Sequence, residues 1–419
     1  MNVYLRTFGC RANHYDSETA GAMIESSGHR IVTHAADADV AVFNSCAVTA
    51  QAEADLRKAV RRAARDRPQL RSIVMGCASS PESRGGSAIR ALPTVEHLVA
   101  GADMSALAQA LGLPPSAATA RAARQTTSRA LLRIQDGCDE HCTFCVTTLA
   151  RGANRSRPAS DLAEEARRLA ERHPEIVLTG IHIGSYGRDI GTSLGELLEA
   201  LIASVPNVRF RLSSLEATEV DDRLFALLTR GGGRVMPHLH APLQSGSDAI
   251  LKRMGRHWYT ASSYARAVER LAGSASVFGL GADVITGFPG ETDEDHRRTM
   301  TLVNALPFTY LHVFPFSLRP GTAAERLRGQ VPSVVAIARA RELRELGQRK
   351  AAAYRTARSG GIADVVVVSG LESNEREGLT EDYLTVLPGD PSLGRGTRFT
   401  ARLALDGGRL SAVPLRSEP

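Results

Sequence analysis

Over residues 1–112, the short apolar runs VYLRTF, VAVFNS and SIVMG alternate with stretches whose apolar positions recur at helical spacing. That alternation predicts parallel strands flanked by helices. Residues 113–129, LPPSAATARAARQTTSR, contain no acid and are rich in Pro, Ala, Ser and Thr, the composition of an exposed linker. The strand–helix alternation then resumes, with ALLRIQ, EIVLTG, RFRLSS, HLHAPL, GADVITG and YLHVFPF as strand candidates. Helical patterns lie between them, among them SDLAEEARRLAERH, which places Ser160 as the N-cap with Glu164 nearby. Six such units predict a partial (β/α)6 TIM-like barrel, with active-site groups at the carboxyl ends of its strands. From about Ala357 the runs ADVVVVSG, DYLTVLP and RFTARLALDGGRLSAVPL predict a small antiparallel β-barrel with a hairpin at Asp406–Gly408. The fold class is therefore α/β, divided as 1–112, linker 113–129, 130–356 and 357–419.

This framework gives the cysteines a place. Cys10, Cys46 and Cys77 each follow one of the three N-terminal strands, and parallel strands end on one edge, where open α/β sheets hold ligands. Cys138, Cys142 and Cys145, in GCDEHCTFC, follow the first strand of the partial barrel. Their C-x3-C-x2-C spacing can present three thiolates to an iron–sulfur cubane, leaving one iron open for chemistry. The alternative is a zinc knuckle with His141 as fourth ligand, in a non-catalytic RNA-binding protein. Zinc sites favour paired C-x2-C elements, and His141 is adjacent to Cys142.

Composition narrows the class. A chain of 419 residues calls for two or three domains. It has no uncharged apolar run of membrane-spanning length and no signal-peptide pattern at its start, so a cytoplasmic protein without a membrane partner is expected. Reduced thiols are the rule there, which favours metal ligation over disulfides. The formal charge of +6 is modest, but its distribution is uneven. Between Arg319 and Arg358, ten basic residues face three acids, and ADLRKAVRRAARDR carries Arg57, Lys58, Arg61, Arg62 and Arg65. Together these favour an anionic macromolecule. The last domain adds nothing to that case, with seven basic residues against nine acids over 357–419.

The stretches TFGCRANHYDSE, the cysteine loop with ARGANRSRP after it, LTGIHIGSYGRD, HLHAPLQSGSDAILKRMGR, DVITGFPGET and LHVFPFSLRPGT resemble the radical S-adenosylmethionine (SAM) methylthiotransferases along almost the whole chain. HIGSYG is most similar to the branch acting on N6-threonylcarbamoyladenosine of tRNA, rather than those acting on isopentenyladenosine or a ribosomal-protein aspartate. CVTTLARG departs from the family's Ile-Ile-Pro-like run beside the loop but leaves the ligands intact. The resemblance implies an N-terminal methylthiotransferase domain, a radical-SAM core and a C-terminal TRAM domain. It implies two [4Fe–4S] clusters, one on Cys138, Cys142 and Cys145 that cleaves SAM, and an auxiliary one on Cys10, Cys46 and Cys77. Methylthiolation at carbon 2 of adenosine 37 in the tRNA anticodon loop follows from it. So do a flavodoxin- or ferredoxin-like electron donor and an iron–sulfur assembly factor as partners.

Further candidates come from their places in the chain. At strand ends, Gly180, Ser213, Ser214, Glu216, Gln244 and Gly287 are candidates for SAM contact. Arg151, Arg155 and Arg157 are candidates for the SAM carboxylate, tRNA phosphate or ion pairs within the fold. Tyr186, Trp258 and Tyr259 are candidates for base stacking.

Overall fold

A computed structural model of the chain describes residues 1–46, 50–79, 84–120, 125–230, 233–369 and 376–415. The N-terminal domain is a five-stranded parallel sheet of β1 (Asn2–Phe8), β2 (Arg30–Val32), β3 (Val40–Ser45), β4 (Arg71–Gly76) and β5 (Val95–Ala100), in the order β2-β1-β3-β4-β5. The three predicted strands form its centre, and β3 is buried at every position. The two edge strands escape the hydrophobic pattern for physical reasons. One is three residues long, and the other carries exposed Glu96 and His97 that interrupt the apolar run.

All six strand candidates of the core form: β6 (Ala130–Arg133), β9 (Glu175–Thr179), β10 (Arg209–Leu212), β11 (His238–His240), β12 (Gly279–Thr286) and β13 (Tyr310–Pro315). They make two parallel sheets, β10-β9-β6 and β11-β12-β13, joined by single bridges at Phe210–Val235 and Ser214–His240. A two-residue pair, β7 (Gln135–Asp136) and β8 (Arg155–Ser156), flanks the cysteine loop. The helix Ala159–Ala170 starts one residue before Ser160, with Pro158 at the N-cap, so Ser160 is not the cap. Glu164 pairs with Arg168 on the exposed face at 2.5 Å. Among the described residues no helix is long and apolar enough to cross a membrane.

The described part of 113–129 is exposed at Pro114, Pro115, Ser116, Thr119, Thr126 and Thr127, as its composition suggests, but it is anchored to the fold at several points. Leu113, Ala117, Gln125 and Ser128 are buried, and Gln125 exchanges two hydrogen bonds of 2.7 Å with the backbone of Leu131. Residues 121–124 of that stretch lie outside the described residues.

The last helix of the core, Ser333–Arg358, leads into a closed barrel of β14 (Ile362–Ser369), β15 (Arg376–Thr380), β16 (Thr385–Pro388), β17 (Arg398–Asp406) and β18 (Arg409–Pro414). The β17–β18 hairpin turns at Gly407 and Gly408, as the sequence pattern predicts. One pairing departs from the antiparallel expectation, since β16 and β18 run parallel to close the cylinder.

Buried charge fastens the three parts together. Glu175, Arg209 and Arg211 are fully buried, and Glu175 takes the Nε of Arg209 at 2.6 Å and of Arg211 at 2.8 Å. The two guanidinium groups reach onward to the backbone oxygens of Asp364, Leu379, Thr380 and Glu381 in the C-terminal barrel. Burial alone would raise the pKa of Glu175, but Arg211, Arg209 and Arg129 hold it well below the usual carboxylate range. On the other side, Asp16 of the N-terminal domain is buried and pairs with Arg133 at 2.5 Å and Arg151 at 2.7 Å.

Two predictions follow from removing one member of a buried pair, which costs about 3–5 kcal/mol. Glu175→Gln is expected to lower the thermal stability of the core–barrel junction by that order, and an unchanged melting curve would refute the assignment. Because the folded pKa is depressed, this contribution is complete above the unfolded value of about 4.3 and is lost as the pH falls through the folded one. In denaturant titrations Arg151→Ala should cost the same order, whereas Arg155→Ala, whose side chain is 61% exposed, should cost less than about 1 kcal/mol.

Candidate functional site

The parallel register of the N-terminal sheet gathers the first cysteine trio. Phe8 pairs with Ser45 and Ser45 with Gly76, so Cys46 and Cys77 leave their strands at the same level. The amide of Cys46 donates to the Phe8 carbonyl at 2.9 Å, which holds it beside the Gly9–Cys10 turn. Two glycines make this approach feasible. Gly9 has φ +136° and a Cβ there would lie 2.5 Å from that of Cys46; Gly76 has φ +99° and a Cβ there would lie 2.4 Å from the Ser45 carbonyl oxygen.

Behind the trio, buried Asn13 and Asn44 lock to each other. Asn13 donates to the Asn44 side chain at 2.9 Å, and Asn44 donates to the Asn13 backbone at 2.8 Å. The Cys10 thiol donates to Asn13 Oδ1 at 3.2 Å, and Arg151 Nε donates to Cys77 Sγ at 3.2 Å. A hydrogen bond from Cys46 brings the Cys10 pKa down to about 6 against the effect of burial. Burial pushes Cys77 upward, with Arg151 opposing.

The second trio lies on the loop after β7, before the short helix Thr147–Arg151. Each sulfur has a hydrogen-bond donor or cation nearby. The Glu140 amide reaches Cys138 at 3.4 Å and the Thr147 amide reaches Cys145 at 3.4 Å. Arg256 stands 3.6 Å from Cys142, and His182 Nδ1 is 3.8 Å from Cys138. Burial raises the Cys142 thiol to about 12, with Arg256 opposing. Burial would lower the His182 pKa, yet hydrogen bonds to Cys138 and Glu219 raise it to about 10. Arg256 is itself held by Glu216 and by Tyr259 Oη at 2.8 Å. Buried Gln135 ties the loop to the next strand end, donating to the Gly137 carbonyl at 2.6 Å and accepting from the amides of Ile181 and His182.

Two cavities lie beside these sites. One, of about 470 Å³, is lined by Cys145, Gln244, Asp283, Phe314 and Arg319; the other, of about 450 Å³, is lined by Cys10 and Cys46. Gln51, in the helix Ala50–Asp66, lines both. Neither trio has the dimensions of a single-ion site. Thiolates on one tetrahedral zinc stand about 3.8 Å apart. Among the described residues, however, only His240, Asp283 and His312 place three ligand atoms all within 4.8 Å of one another. His141, the proposed fourth zinc ligand, is exposed. Two open three-thiolate sites suit a larger group, with donors or cations beside Cys77 and each sulfur of the core trio that would tune it.

The other sequence candidates divide by environment. Of the strand-end set, only Gln244 lines the larger cavity, and its backbone has φ +62°. Glu216 is buried against Arg256, Ser213 is buried and Ser214 is exposed. Gly180 is glycine because a Cβ would meet Gln135 at 2.9 Å, and Gly287 because one would meet Ala336 at 2.3 Å. Arg151 and Arg157 serve ion pairs within the fold, the latter with Glu165 at 2.7 Å, while Arg155 is largely exposed. The stacking candidates are packing residues. Tyr186 is buried and donates to the Arg157 carbonyl, Tyr259 is buried beneath Arg256, and Trp258 carries the Arg256 guanidinium over its ring at 4.8 Å.

The basic stretch from Arg319 is also partly internal. Arg319, Arg339 and Arg358 are buried, and the last two pair with Glu291 and Asp382 at 2.7 and 2.8 Å. By contrast, Lys58, Arg61, Arg62 and Arg65 lie exposed along one face of their helix. Asn13, His182 and Arg256 lie inside the stretches TFGCRANHYDSE, LTGIHIGSYGRD and HLHAPLQSGSDAILKRMGR, and Asn44 and Gln51 flank Cys46, but nothing in the spacing singles these side chains out as site residues.

Residues 2–101 match the family described as uncharacterized protein family UPF0004, and residues 132–303 match the radical SAM superfamily. The threonylcarbamoyladenosine tRNA methylthiotransferase MtaB of Thermotoga maritima is 35% identical over 79% of this chain and 78% of its own length. Its namesake from Bacillus subtilis is 33% identical over 92% and 90%. A solved radical SAM methyltransferase, TsrM of Kitasatospora setae, shares the fold with a TM-score of 0.56 at 14% identity, over 77% of this chain and 76% of its own. With this identity maintained over most of both chains, and two cysteine trios on the matched domains, the protein belongs to the threonylcarbamoyladenosine tRNA methylthiotransferase family.

Proposed function

We propose that the protein converts N6-threonylcarbamoyladenosine at tRNA position 37 to its 2-methylthio derivative by radical SAM chemistry. The observation that carries this reading is the pair of three-cysteine sites on adjoining domains, opening onto neighbouring cavities that share Gln51. Cys138, Cys142 and Cys145 would hold one [4Fe–4S] cluster in the core (130–356), and Cys10, Cys46 and Cys77 a second in the N-terminal domain (1–112). When bound, the first supplies a 5′-deoxyadenosyl radical from SAM and the second takes part in sulfur delivery.

The hydrogen on carbon 2 of adenine offers no polar handle to acid–base groups, so the chain's own task is positioning. Gln244 beside Cys145 supplies a polar contact for SAM, and Phe144, Phe314 and Phe316 give the cavity apolar walls. Arg256 and His182 keep positive charge beside the core thiolates, as Arg151 does beside Cys77. An anticodon-loop base is reached without melting a duplex, and the exposed face of Lys58, Arg61, Arg62 and Arg65 lies on the helix that carries Gln51, suited to phosphate contact. The C-terminal barrel (357–419) acts as the TRAM domain. A flavodoxin- or ferredoxin-like protein supplies electrons, an assembly factor renews the auxiliary cluster, and the reaction takes place in the cytoplasm.

Cys142→Ala should abolish SAM cleavage and product, whereas Cys46→Ala should keep cleavage and lose the methylthio product, as read by mass spectrometry of tRNA nucleosides. Methylthiolated product from Cys46→Ala would remove the auxiliary site from the reading. Deleting the gene should remove 2-methylthio-N6-threonylcarbamoyladenosine while sparing its unthiolated parent.

A further inference from the structure

We propose that His240, Asp283 and His312 form a divalent transition-metal site beside the larger cavity, separate from both cysteine trios. The three residues stand on adjacent strands β11, β12 and β13. Asp283 and His312 are register partners, and His240 pairs with Gly281, two residues from Asp283 and therefore on the same face. His240 Nε2 lies 3.0 Å and His312 Nδ1 3.3 Å from the same carboxylate oxygen, Asp283 Oδ1. Donors that share an ion at about 2.0–2.2 Å stand about 3–3.5 Å apart, so the cluster needs little rearrangement to close on one.

The donor set selects the ion. Two imidazoles with one carboxylate suit Fe²⁺, Mn²⁺, Co²⁺ or Zn²⁺ rather than the oxygen-seeking Mg²⁺ and Ca²⁺, and such a face leaves coordination positions open. Outer contacts hold the ligands in place. Tyr310 Oη is 3.1 Å from His240 Nδ1 and is itself held by His238 Nε2 at 2.9 Å, which directs His240 Nε2 toward Asp283. The Asp283 carbonyl accepts the amides of Leu243 and Gln244 at 3.1 and 2.8 Å, fixing its strand. Asp283 also lines the cavity with Cys145 and Gln244, which brings the carboxylate of the site to that space. The His312 side chain is 54% exposed and that of His240 8%, which gives the ion an entry side.

The test is metal uptake by the cluster-loaded enzyme and does not depend on which nucleoside it modifies. Mn²⁺ has little preference for thiolates, and the loss of its free-ion EPR signal counts bound ions. The expected result is one Mn²⁺ per chain. His312→Ala and Asp283→Asn should each weaken it at least about ten-fold, the size that outer-shell changes alone produce, with iron and sulfide contents unchanged. No uptake by the wild-type protein would leave the trio as a hydrogen-bonded cluster and overturn the proposal. Uptake that persists in both variants would place the ion elsewhere and overturn it equally.

Discussion

Asp16 is cut off from water, and both of its carboxylate oxygens are taken by arginines from the neighbouring domain. A buried carboxylate without partners costs several kcal/mol, so the two domains can dock only where Arg133 and Arg151 reach it. Arg133 ends β6, before the cysteine loop, and Arg151 ends the helix after it. The loop is therefore pinned on both flanks to the helix that begins directly after Cys10. Arg151 then spends its remaining donors on Cys77 and Asp136. One carboxylate thus sets the placement of one cysteine trio against the other.

The C-terminal barrel is attached by a different use of the same physics. Glu175 pairs with two arginines, one of which also meets Asp364, and their other donors satisfy backbone carbonyls of the barrel, so that few polar groups at the junction are left without partners. Tyr383 enters the seam from the barrel, stacks on His238 with ring centroids 4.4 Å apart and accepts the guanidinium of Arg11 at 2.7 Å. Arg11 follows Cys10, so all three domains meet within one residue of a proposed ligand.

Central strands and cysteine spacing were legible because each is a local pattern. VAVFNS is buried at every position, and Cys138, Cys142 and Cys145 lie on one loop. The edge strands were not, since an edge is defined by what lies beside it, and Glu96 and His97 satisfy solvent there. The Ser160 cap failed because the helix starts one residue earlier, at Ala159. Arg256 and His182 reach the core trio only through tertiary packing, from segments 114 and 44 residues away from the cysteines they approach, and no spacing rule relates them to it.

The charge pattern pointed to an anionic macromolecule, but only part of the stretch from Arg319 to Arg358 is a solvated face, and the reason is geometric. A basic run is read as a solvated face only when its residues share a face. The exposed basic residues of Ala50–Asp66 do so; those from Arg319 to Arg358 divide, with Arg326, Arg328, Arg341, Arg344 and Arg349 exposed and Arg319, Arg339 and Arg358 buried. Arg339 turns inward to Glu291 and Asp293, Arg358 to Glu381 and Asp382, and Arg344 donates to the Val313 carbonyl. These arginines fasten the long C-terminal helix to the core and the barrel, so their charge is spent on architecture rather than on a polyanion. The exposed face of Lys58, Arg61, Arg62 and Arg65 lies on the helix whose Gln51 lines both cavities, which places part of the electrostatic footprint next to the chemistry.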